Sequence, residues 1–524
     1  DLDHLIGQKL LFAFHGKESL SPEIVHAFKS YRPSGISYFR SLNMETAAQI
    51  KSLSQALQDL ARELGLPPLL IATDQEGGQL MAFGDGTPLP GNMALGATRS
   101  PELARKAGEV LGCEMAALGI NVNYAPCADV NINPQNPVVG VRSFGEDPAL
   151  VGELAAAMIE GIQSQGVAAT AKHFPGHGDT ASDSHHGLGT VPHSRERLHA
   201  VELTPFRSVL SADVKLVMTA HLGILSIDGD NAPPATLSPN IISGLLREDL
   251  GFEGVVITDA MDMHAIRQGE LLREDSLRAA RAGADLLLMT SDPQDQTRAY
   301  GALLQGAQNG QLTQEDLQAS VARITSLKKW LAEHKTTPDL SVIQCAEHMQ
   351  VANEIAEKSI TLVRDEQKHL PIKLEANQRI AVIFPVPQDL TPADTSSYIQ
   401  PKLAESIRAH HAQTDEFRIP LAPSAQESAS LLEQVGKYDL IIMGTINAFA
   451  EEKQSELVRQ LMKLDKPVII IAMRLPYDLA AFPQASTYLC TYSILEPSMR
   501  AVANAMFGLG GMTGRLPVSI PGLA

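Results

Sequence analysis

The sequence predicts an α/β protein with two domains, an N-terminal (β/α)8 TIM-type barrel followed by a C-terminal α/β sandwich. Three observations predict this fold. The chain has 524 residues, which is more than a single hydrophobic core usually accommodates. Short apolar runs alternate with helical patterns over the first two thirds of the sequence. Polar residues that suit a reaction site end several of these runs.

Eight apolar runs predict the strands of the barrel. They span residues 10–14, 35–39, 69–74, 122–126, 168–173, 216–221, 255–259 and 284–289. Their aliphatic content is typical of parallel strands that are buried on both faces. Eight strands alternating with helices suit a barrel of roughly 250 residues plus insertions, with an open doubly wound sheet as the alternative.

The polar residues at the ends of these runs favour the barrel over the open sheet. A barrel collects the C-terminal ends of its strands at one face, where its active site lies. The residues in this position are Asp74, Lys172, His173, His221 and Asp259.

Helices are predicted between most runs. Ser21 and Ser100 each precede a proline and a glutamate, a pattern typical of a helix N-cap followed by a first turn. Apolar residues at helical spacing predict another helix over residues 313–333.

A second domain is predicted after a break at residues 335–338. Its buried parallel strands are expected in the runs 379–384, 439–443, 468–471 and 487–490, giving a sandwich of four or five strands. The predicted boundaries are 1–335 for the barrel, 336–378 for a linker and 379–524 for the sandwich.

Composition excludes several classes of partner. The net charge of −18 argues against nucleic acid and against an anionic membrane surface, because both favour a basic patch. No apolar stretch is long enough to span a bilayer. The four cysteines are far apart and predict free thiols. We expect a monomer or weak oligomer, and leave the compartment open between cytoplasmic and exported bacterial protein.

The segment 172–180 (KHFPGHGDT) with 183–187 (DSHHG) carries the strongest chemical signal. It follows a buried run and places a carboxylate, Asp183, two residues from an imidazole, His185. A carboxylate that orients a histidine prepares it for proton transfer near neutral pH. The histidines lack the spacing of common metal sites, so we predict no metal and keep a metal-dependent hydrolase as an outside alternative.

Three further residues are candidates for the site. Asp259 ends an aliphatic run and is suited to act as a nucleophile or to bind a cation, the alternative being a helix cap. Asp74, in 74–78 (DQEGG), predicts a clamp for sugar hydroxyls, a metal site or a structural turn. Arg142 pairs either with a ligand or with a nearby acid. Together these residues favour glycoside hydrolysis, in which an Asp-oriented histidine replaces the usual second carboxylic acid.

These segments resemble the β-N-acetylhexosaminidase branch of glycoside hydrolase family 3. The resemblance is carried by 172–180, 183–185, 74–78, 142–145 (RSFG) and 257–261 (ITDAM), while 514–521 (GRLPVSIP) resembles the closing segment of two-domain members. It implies a retaining exo-β-N-acetylglucosaminidase that acts on a small carbohydrate, either cell-wall muropeptides or chitooligosaccharides, and needs no cofactor.

The same resemblance implies roles for individual residues. Asp259 is the expected nucleophile, and His185 is the expected acid/base oriented by Asp183. The expected substrate-binding residues are Asp74, Arg142, Lys172 and His173. Gln79 and Ala82 depart from the branch, whose members usually have arginines after the Asp-x-Glu-Gly-Gly stretch.

Alternative functions remain at this point. A phosphorylase using the same residues is the nearest, because a neutral imidazole does not repel incoming phosphate as a carboxylate would. Catalysis through the substrate's acetamido group calls for an adjacent Asp-Glu pair, and Asp415-Glu416 falls in the second domain. A protein that only binds sugar has no need of Asp183, His185 and Asp259 together.

Overall fold

Eight parallel strands close into a barrel in the computed structural model, which describes residues 2–180 and 188–523. In chain order they are β1 Leu10–Phe12, β2 Gly35–Tyr38, β3 Leu70–Thr73, β4 Val122–Asn123, β5 Ala168–Phe174, β6 Leu216–Thr219, β7 Val255–Thr258 and β8 Leu287–Met289. β8 pairs with β1, and a bridge between Ile257 and Leu286 joins β7 to β8. Each of the eight predicted runs overlaps one barrel strand, so the predicted barrel is confirmed.

Helices connect these strands and surround the barrel. Those of the first 334 residues that the structure describes are Leu2–Gly7, Pro22–Tyr31, Arg40–Asn43, Ala47–Glu63, Asn92–Thr98, Pro101–Ala117, Pro148–Ser164, Arg195–Ala200, Leu203–Ser211, Leu225–Asp228, the π-helical Asn240–Asp249, Leu271–Ala282, Pro293–Gln308 and Gln314–His334. The predicted caps are confirmed, because the side chains of Ser21 and Ser100 accept hydrogen bonds from the backbone N–H of the third residue of their helices.

The barrel interior is filled with aliphatic side chains at the end where the strands begin. Leu70, Leu216 and Val255, each the first residue of its strand, belong to this interior cluster. Leu327 and Leu331 of the helix Gln314–His334 pack into the same cluster. Since this helix covers the end where strands start, the opposite end, where the strands finish, is left for a cavity.

The second sheet has six strands. They are β9 Thr361–Asp365, β10 Ile380–Pro385, β11 Thr414–Ile419, β12 Leu440–Thr445, β13 Val468–Ala472 and β14 Thr487–Cys490. Their order is β9-β14-β13-β12-β10-β11, parallel except for the edge strand β9. The accompanying helices are Ala346–Ser359, Leu403–Arg408, Ala425–Val435, Glu452–Leu461 and Glu496–Met506. The predicted α/β sandwich is therefore confirmed, with six strands instead of four or five.

Both additional strands lie at the edges of the sheet. β9 falls within the segment predicted as a linker, 336–378, and pairs antiparallel with β14. β11 pairs only with β10 among the described strands. The domain boundaries at 335 and 378 stay predictions.

The C-terminal tail returns to the barrel. Arg515 donates its backbone N–H to the carbonyl of Ala97, and the carbonyl of Pro517 accepts from the N–H of Glu146. The backbone N–H of Ser519 donates to the Glu146 carboxylate at 2.8 Å. The last residues of the second domain are thus attached to the helical layer of the first.

The state of the cysteines and the character of the helices bear on two predictions made from composition. All four cysteines are free thiols, as predicted. Within residues 2–180 and 188–523, no helix combines the length and the apolar character needed to cross a membrane.

Candidate active site

A cavity of about 390 Å³ lies at the end of the barrel where the strands finish. Asp74 follows β3, Lys172 and His173 lie near the end of β5, and Asp259 follows β7, and all four line this cavity. Arg142, on the short 3-10 turn Gly140–Arg142, lines it as well. The structure therefore brings together the described residues that the sequence predicted for the site.

A buried cluster of four charges forms one side of the cavity. Lys172 Nζ lies 2.6 Å from Asp74 Oδ1 and 2.6 Å from Glu76 Oε1. Arg142 forks onto the Glu76 carboxylate through Nε at 3.0 Å and Nη2 at 2.7 Å. The side chains of Lys172, Glu76 and Arg142 are at most 3% exposed, whereas that of Asp74 is 25% exposed. Asp74 is therefore the acid of this cluster that an entering ligand can reach.

The buried groups of the cluster stabilise one another in their charged forms. Burial alone would raise the pKa of Glu76, but Arg142 and Lys172 outweigh it and lower that pKa to about 2. Burial likewise opposes the charge on Arg142 and Lys172, yet the neighbouring carboxylates raise both pKa values. Two carboxylates and two cations give a neutral set, in which Glu76 serves as the internal counter-ion and not as a ligand for substrate.

Asp129, which sequence reasoning missed, organises the two histidines of the 172–180 segment. Its Oδ1 accepts the backbone N–H of His173 at 3.1 Å and of His177 at 2.7 Å. Its Oδ2 lies 2.7 Å from His173 Nδ1. Burial opposes ionisation, but these partners hold the pKa of Asp129 well below its ordinary value. Since an ionised carboxylate only accepts, Nδ1 of His173 is the donor, and its ring orientation in the cavity wall is fixed.

His177 is a buried neutral imidazole. Burial is the largest influence on it and lowers its pKa from 6.5 to about 4, despite the neighbouring Asp129. Its Nδ1 lies 2.9 Å from the Thr180 hydroxyl. His177 lines the cavity without carrying charge at neutral pH.

Asp259 is held by the backbone around it. Its own N–H donates to the Thr219 carbonyl of the neighbouring strand at 3.2 Å, and its Oδ1 accepts the N–H of Ala260 at 2.8 Å. His221, predicted at the end of β6, lies there fully buried, with Nε2 3.0 Å from the Ala260 carbonyl and Nδ1 2.8 Å from the Thr236 hydroxyl. His221 thus supports the turn that carries Asp259.

Asp183 and His185 lie outside the described residues, so their predicted roles stay predictions. The residues on either side of that segment are tied together. Asp179 Oδ2 lies 2.5 Å from His193 Nε2, and the strand Gly189–Val191 pairs with Leu222–Ile224. The chain therefore enters and leaves the segment at anchored positions beside the barrel end.

Two described groups contain residue types that bind metal ions. In the first, Cys127, Asp129 and His173, the thiol donates to Asp129 at 3.1 Å, and burial raises the pKa of Cys127 well above its ordinary value. A protonated thiol is a poor metal ligand. In the second, Asp179, His193 and Glu202, Arg197 Nη2 lies 3.5 Å from Glu202 and 3.8 Å from Asp179. Arg197 already supplies positive charge there, and we assign a metal to neither group.

The second domain supplies the outer wall of the cavity. The wall residues lie between β10 and β11 and are Asp389, Pro392, Ala393, Asp394, Thr395 and Tyr398. From the barrel side, Arg40 lines the same part of the cavity. Arg40 lies two residues after β2 and directly follows the predicted run 35–39. It was also missed by sequence reasoning, although the rule that identified Asp74 applies to it.

Gln79 holds this wall against the barrel, in a position where the resemblance expected an arginine. Its carbonyl accepts the N–H and the hydroxyl of Thr395, both at 2.8 Å, and its Nε2 donates to the Ala393 carbonyl at 3.1 Å. Its Oε1 accepts from Arg474, which also pairs with buried Asp394 at 2.7 Å. We name these residues, Gln79, Ala393, Asp394, Thr395 and Arg474, the interdomain strap.

Comparison with known proteins gives consistent matches over the whole chain. Residues 3–327 match the family model described as Glycosyl hydrolase family 3 N terminal domain. Beta-hexosaminidase A of Pseudoalteromonas piscicida is 30% identical, over 98% of this chain and 96% of that protein. The solved structure of a family 3 beta-N-acetylglucosaminidase from Paenibacillus sp. str. FPU-7 is 37% identical, with a TM-score of 0.93 over 99% of both chains. A beta-glucoside phosphorylase structure is 26% identical, with a TM-score of 0.84 over 99% of this chain and 94% of that one.

Proposed function

The chain belongs to glycoside hydrolase family 3, and we propose that it is a retaining exo-β-N-acetylglucosaminidase that removes terminal N-acetylglucosamine from oligosaccharides. The observation that carries the proposal is the position of Asp259 in one cavity with the fixed charge cluster of Asp74, Lys172 and Arg142. Glycoside hydrolysis needs a carboxylate beside the anomeric carbon and fixed groups that hold the sugar hydroxyls.

The proposed reaction has two steps. Asp259 attacks the anomeric carbon while His185, as an imidazolium oriented by Asp183, donates a proton to the departing oxygen. The resulting glycosyl ester on Asp259 is then attacked by water, whose proton His185 accepts, so that two inversions give net retention. The second step therefore regenerates the free carboxylate of Asp259 and the protonated form of His185.

The contacts of the charge cluster support a division of roles among the proposed substrate-binding residues. Asp74 combines partial exposure with a fixed partner in Lys172, which suits a bidentate acceptor for vicinal sugar hydroxyls. Arg142 has already engaged Glu76 and donates from Nη1 to the Val138 carbonyl at 3.3 Å. We therefore propose that Asp74, Lys172 and His173 contact the sugar, while Arg142 contributes mainly by keeping Glu76 and Lys172 in place.

Cell-wall muropeptides and chitooligosaccharides are the proposed natural substrates, the first of which would place the enzyme in peptidoglycan recycling. A mechanism through the acetamido group has little support. Asp415 and Glu416 lie on β11 of the second sheet, where Asp415 pairs with Arg379 at 2.7 Å. Neither acid is among the residues that line the cavity.

A phosphorylase is the second candidate, favoured by the likeness to the beta-glucoside phosphorylase structure. In that case phosphate replaces water in the second step and the product is a sugar phosphate. Comparing turnover in phosphate and in a phosphate-free buffer of equal ionic strength separates the two functions, because only the phosphorylase would form the sugar phosphate.

The test of the proposed function uses the nitrophenyl β-N-acetylglucosaminide beside the nitrophenyl β-glucoside. We expect turnover of the acetamido sugar to fall at least about 10³-fold in Asp259→Ala, and to recover in part with azide, giving the α-glycosyl azide. Asp262→Asn is the matched control, because it removes another acid from the same cavity wall. We expect a smaller loss there and no rescue by azide.

Two results would count against the proposal. A preference for the β-glucoside would show that the sugar specificity is wrong. Retained activity in Asp259→Ala would show that another group is the nucleophile.

A further inference from the structure

Tyr398 and Arg40 form a stacked pair at the mouth of the cavity. The Arg40 guanidinium carbon lies 4.0 Å from the centre of the Tyr398 ring, and both residues line the cavity. Tyr398 is 55% exposed, so Arg40 covers one face of a ring that is otherwise open. Arg40 donates from Nη1 to the Met81 carbonyl at 3.0 Å, and a guanidinium has five N–H groups, so others remain for a ligand.

The turn that carries Tyr398 is fixed before any ligand arrives. Tyr398 ends the 3-10 turn Ser396–Tyr398. Asp389 accepts the N–H and the hydroxyl of Ser397, both at 2.7 Å. Asp394 accepts the N–H of Ser396 at 2.9 Å, and it is anchored by Arg474 of the interdomain strap. A ring held in this way loses little conformational entropy when it binds a ligand.

Depth in the cavity separates this pair from the charge cluster. Lys172 and Arg142, on the barrel side, have side chains at most 3% exposed, whereas Tyr398 lies at the solvent end. An enzyme that removes terminal sugars receives the sugar to be cleaved at the closed end of its pocket. The leaving group of the same substrate must then lie toward the mouth, beside Tyr398.

We propose that Tyr398, Arg40 and Asp389 form the subsite for the leaving group, and that they select a sugar residue there. The inference rests on the proposed function. The C–H face of a pyranose ring would lie on the open face of Tyr398, with Arg40 donating to its oxygens and Asp389 accepting from its hydroxyls. The substrate class is therefore an oligosaccharide, not a glycoside of a small alcohol or a peptide hydroxyl.

The test compares a disaccharide with a substrate that has no second ring. The quantity measured is the ratio of kcat/KM for N,N′-diacetylchitobiose to kcat/KM for methyl β-N-acetylglucosaminide. We expect this ratio to fall roughly three- to tenfold in Tyr398→Ala, the range for one stacked aromatic contact. Tyr398→Phe keeps the ring and should keep the ratio near that of wild type. Leu509→Ala, at a 71% exposed position that is not among the cavity-lining residues, is the surface control.

Transfer of the sugar to an added acceptor is a second measurement that tests the same subsite. With a nitrophenyl donor and added N-acetylglucosamine as acceptor, a sugar subsite captures the acceptor and forms disaccharide. We expect the ratio of disaccharide to hydrolysis product to fall in Tyr398→Ala and in Arg40→Ala.

The outcomes are distinguishable. If wild type cleaves both substrates and Tyr398→Ala leaves their ratio unchanged, or lowers both rates equally, the subsite is wrong while the proposed function stands. If wild type cleaves neither substrate, the proposed function fails and the subsite fails with it.

Discussion

Replacing Glu76 with glutamine tests whether the charge cluster is held together by its internal counter-ion. The substitution keeps the shape of the side chain and removes one negative charge from a buried set of two carboxylates and two cations. Arg142 and Lys172 would then share Asp74 alone, which pairs with Lys172 at 2.6 Å. A buried cation without its partner cannot recover its solvation, so the folded state should lose stability.

The magnitude follows from the pKa of Glu76. The folded protein lowers it from 4.5 to about 2, and each unit corresponds to about 1.4 kcal/mol, so the shift represents ~3 kcal/mol at neutral pH. Because the folded pKa is the lower one, this stability is fully present above pH 4.5. It is lost as the pH falls from 4.5 toward 2, where Glu76 becomes protonated in both states.

The assay is urea unfolding followed by the fluorescence of Trp330, the single tryptophan of the chain. Trp330 packs against the interior cluster of the barrel from the helix Gln314–His334, so its signal reports on the barrel and not on the second domain. We expect Glu76→Gln to reduce the free energy of unfolding by about 3 kcal/mol at pH 7, and by less than half of that near pH 3. Glu102→Gln is the control, because its pair with Lys106 is an exposed contact within one helix, and such contacts contribute little to stability.

Two results would refute this reasoning. A loss at pH 7 no larger than that of Glu102→Gln would mean that Glu76 is not the counter-ion of the cluster. An equal loss at pH 7 and pH 3 would mean that the effect comes from packing and not from charge.

Three further predictions follow from contacts around the cavity. Burial lowers the pKa of His177 from 6.5 to about 4, so NMR should find its ring neutral at pH 5. The stability that the neutral ring contributes to the fold is intact above pH 6.5 and should be lost as the pH falls toward 4. His177→Gln should flatten this dependence of stability on pH. Gln79→Ala removes side-chain hydrogen bonds of the interdomain strap, so backbone amides of residues 389–398 should exchange their hydrogens faster than in wild type. Gln55→Ala, on an exposed helix face, should leave amide exchange over residues 389–398 unchanged. Exhaustive dialysis against EDTA should leave turnover within twofold of the untreated enzyme; a loss that zinc restores would favour the metal-dependent alternative instead.

The sequence predicted the barrel well because its strands are buried on both faces. Each of the eight strands overlaps a predicted apolar run, and the same holds for the four central strands of the second sheet. The two strands that were missed are edge strands. β11 has three charged residues among its six, and its middle positions are exposed or half-buried, so it has no continuous apolar run.

The candidate site was predictable where a residue follows an aliphatic run. Asp74, Lys172 and Asp259 obey that rule, and Arg40 obeys it too but was passed over. Asp129 has no such signal, because it follows the predicted run 122–126 by three residues and acts through the backbone N–H groups of a distant segment.

The contribution of the second domain could not be derived from sequence patterns. The hydrogen bonds between Gln79 and Thr395 join residues more than 300 positions apart. Neither residue has a local pattern that requires the other. The same limit applies to Tyr398, whose importance depends on the guanidinium that stacks on it from the barrel.

The cavity takes its base and its rim from two different sheets, and this division bears on how such an enzyme can diversify. The segment between β10 and β11 contains no barrel strand, so its length and composition can drift without disturbing the residues at the barrel end. The segment between β10 and β11, which forms the rim of the cavity, can therefore change in evolution while the barrel residues at its base are conserved. An engineer who grafts this segment between related enzymes would exchange one half of the recognition surface, provided that the graft keeps a partner for Gln79.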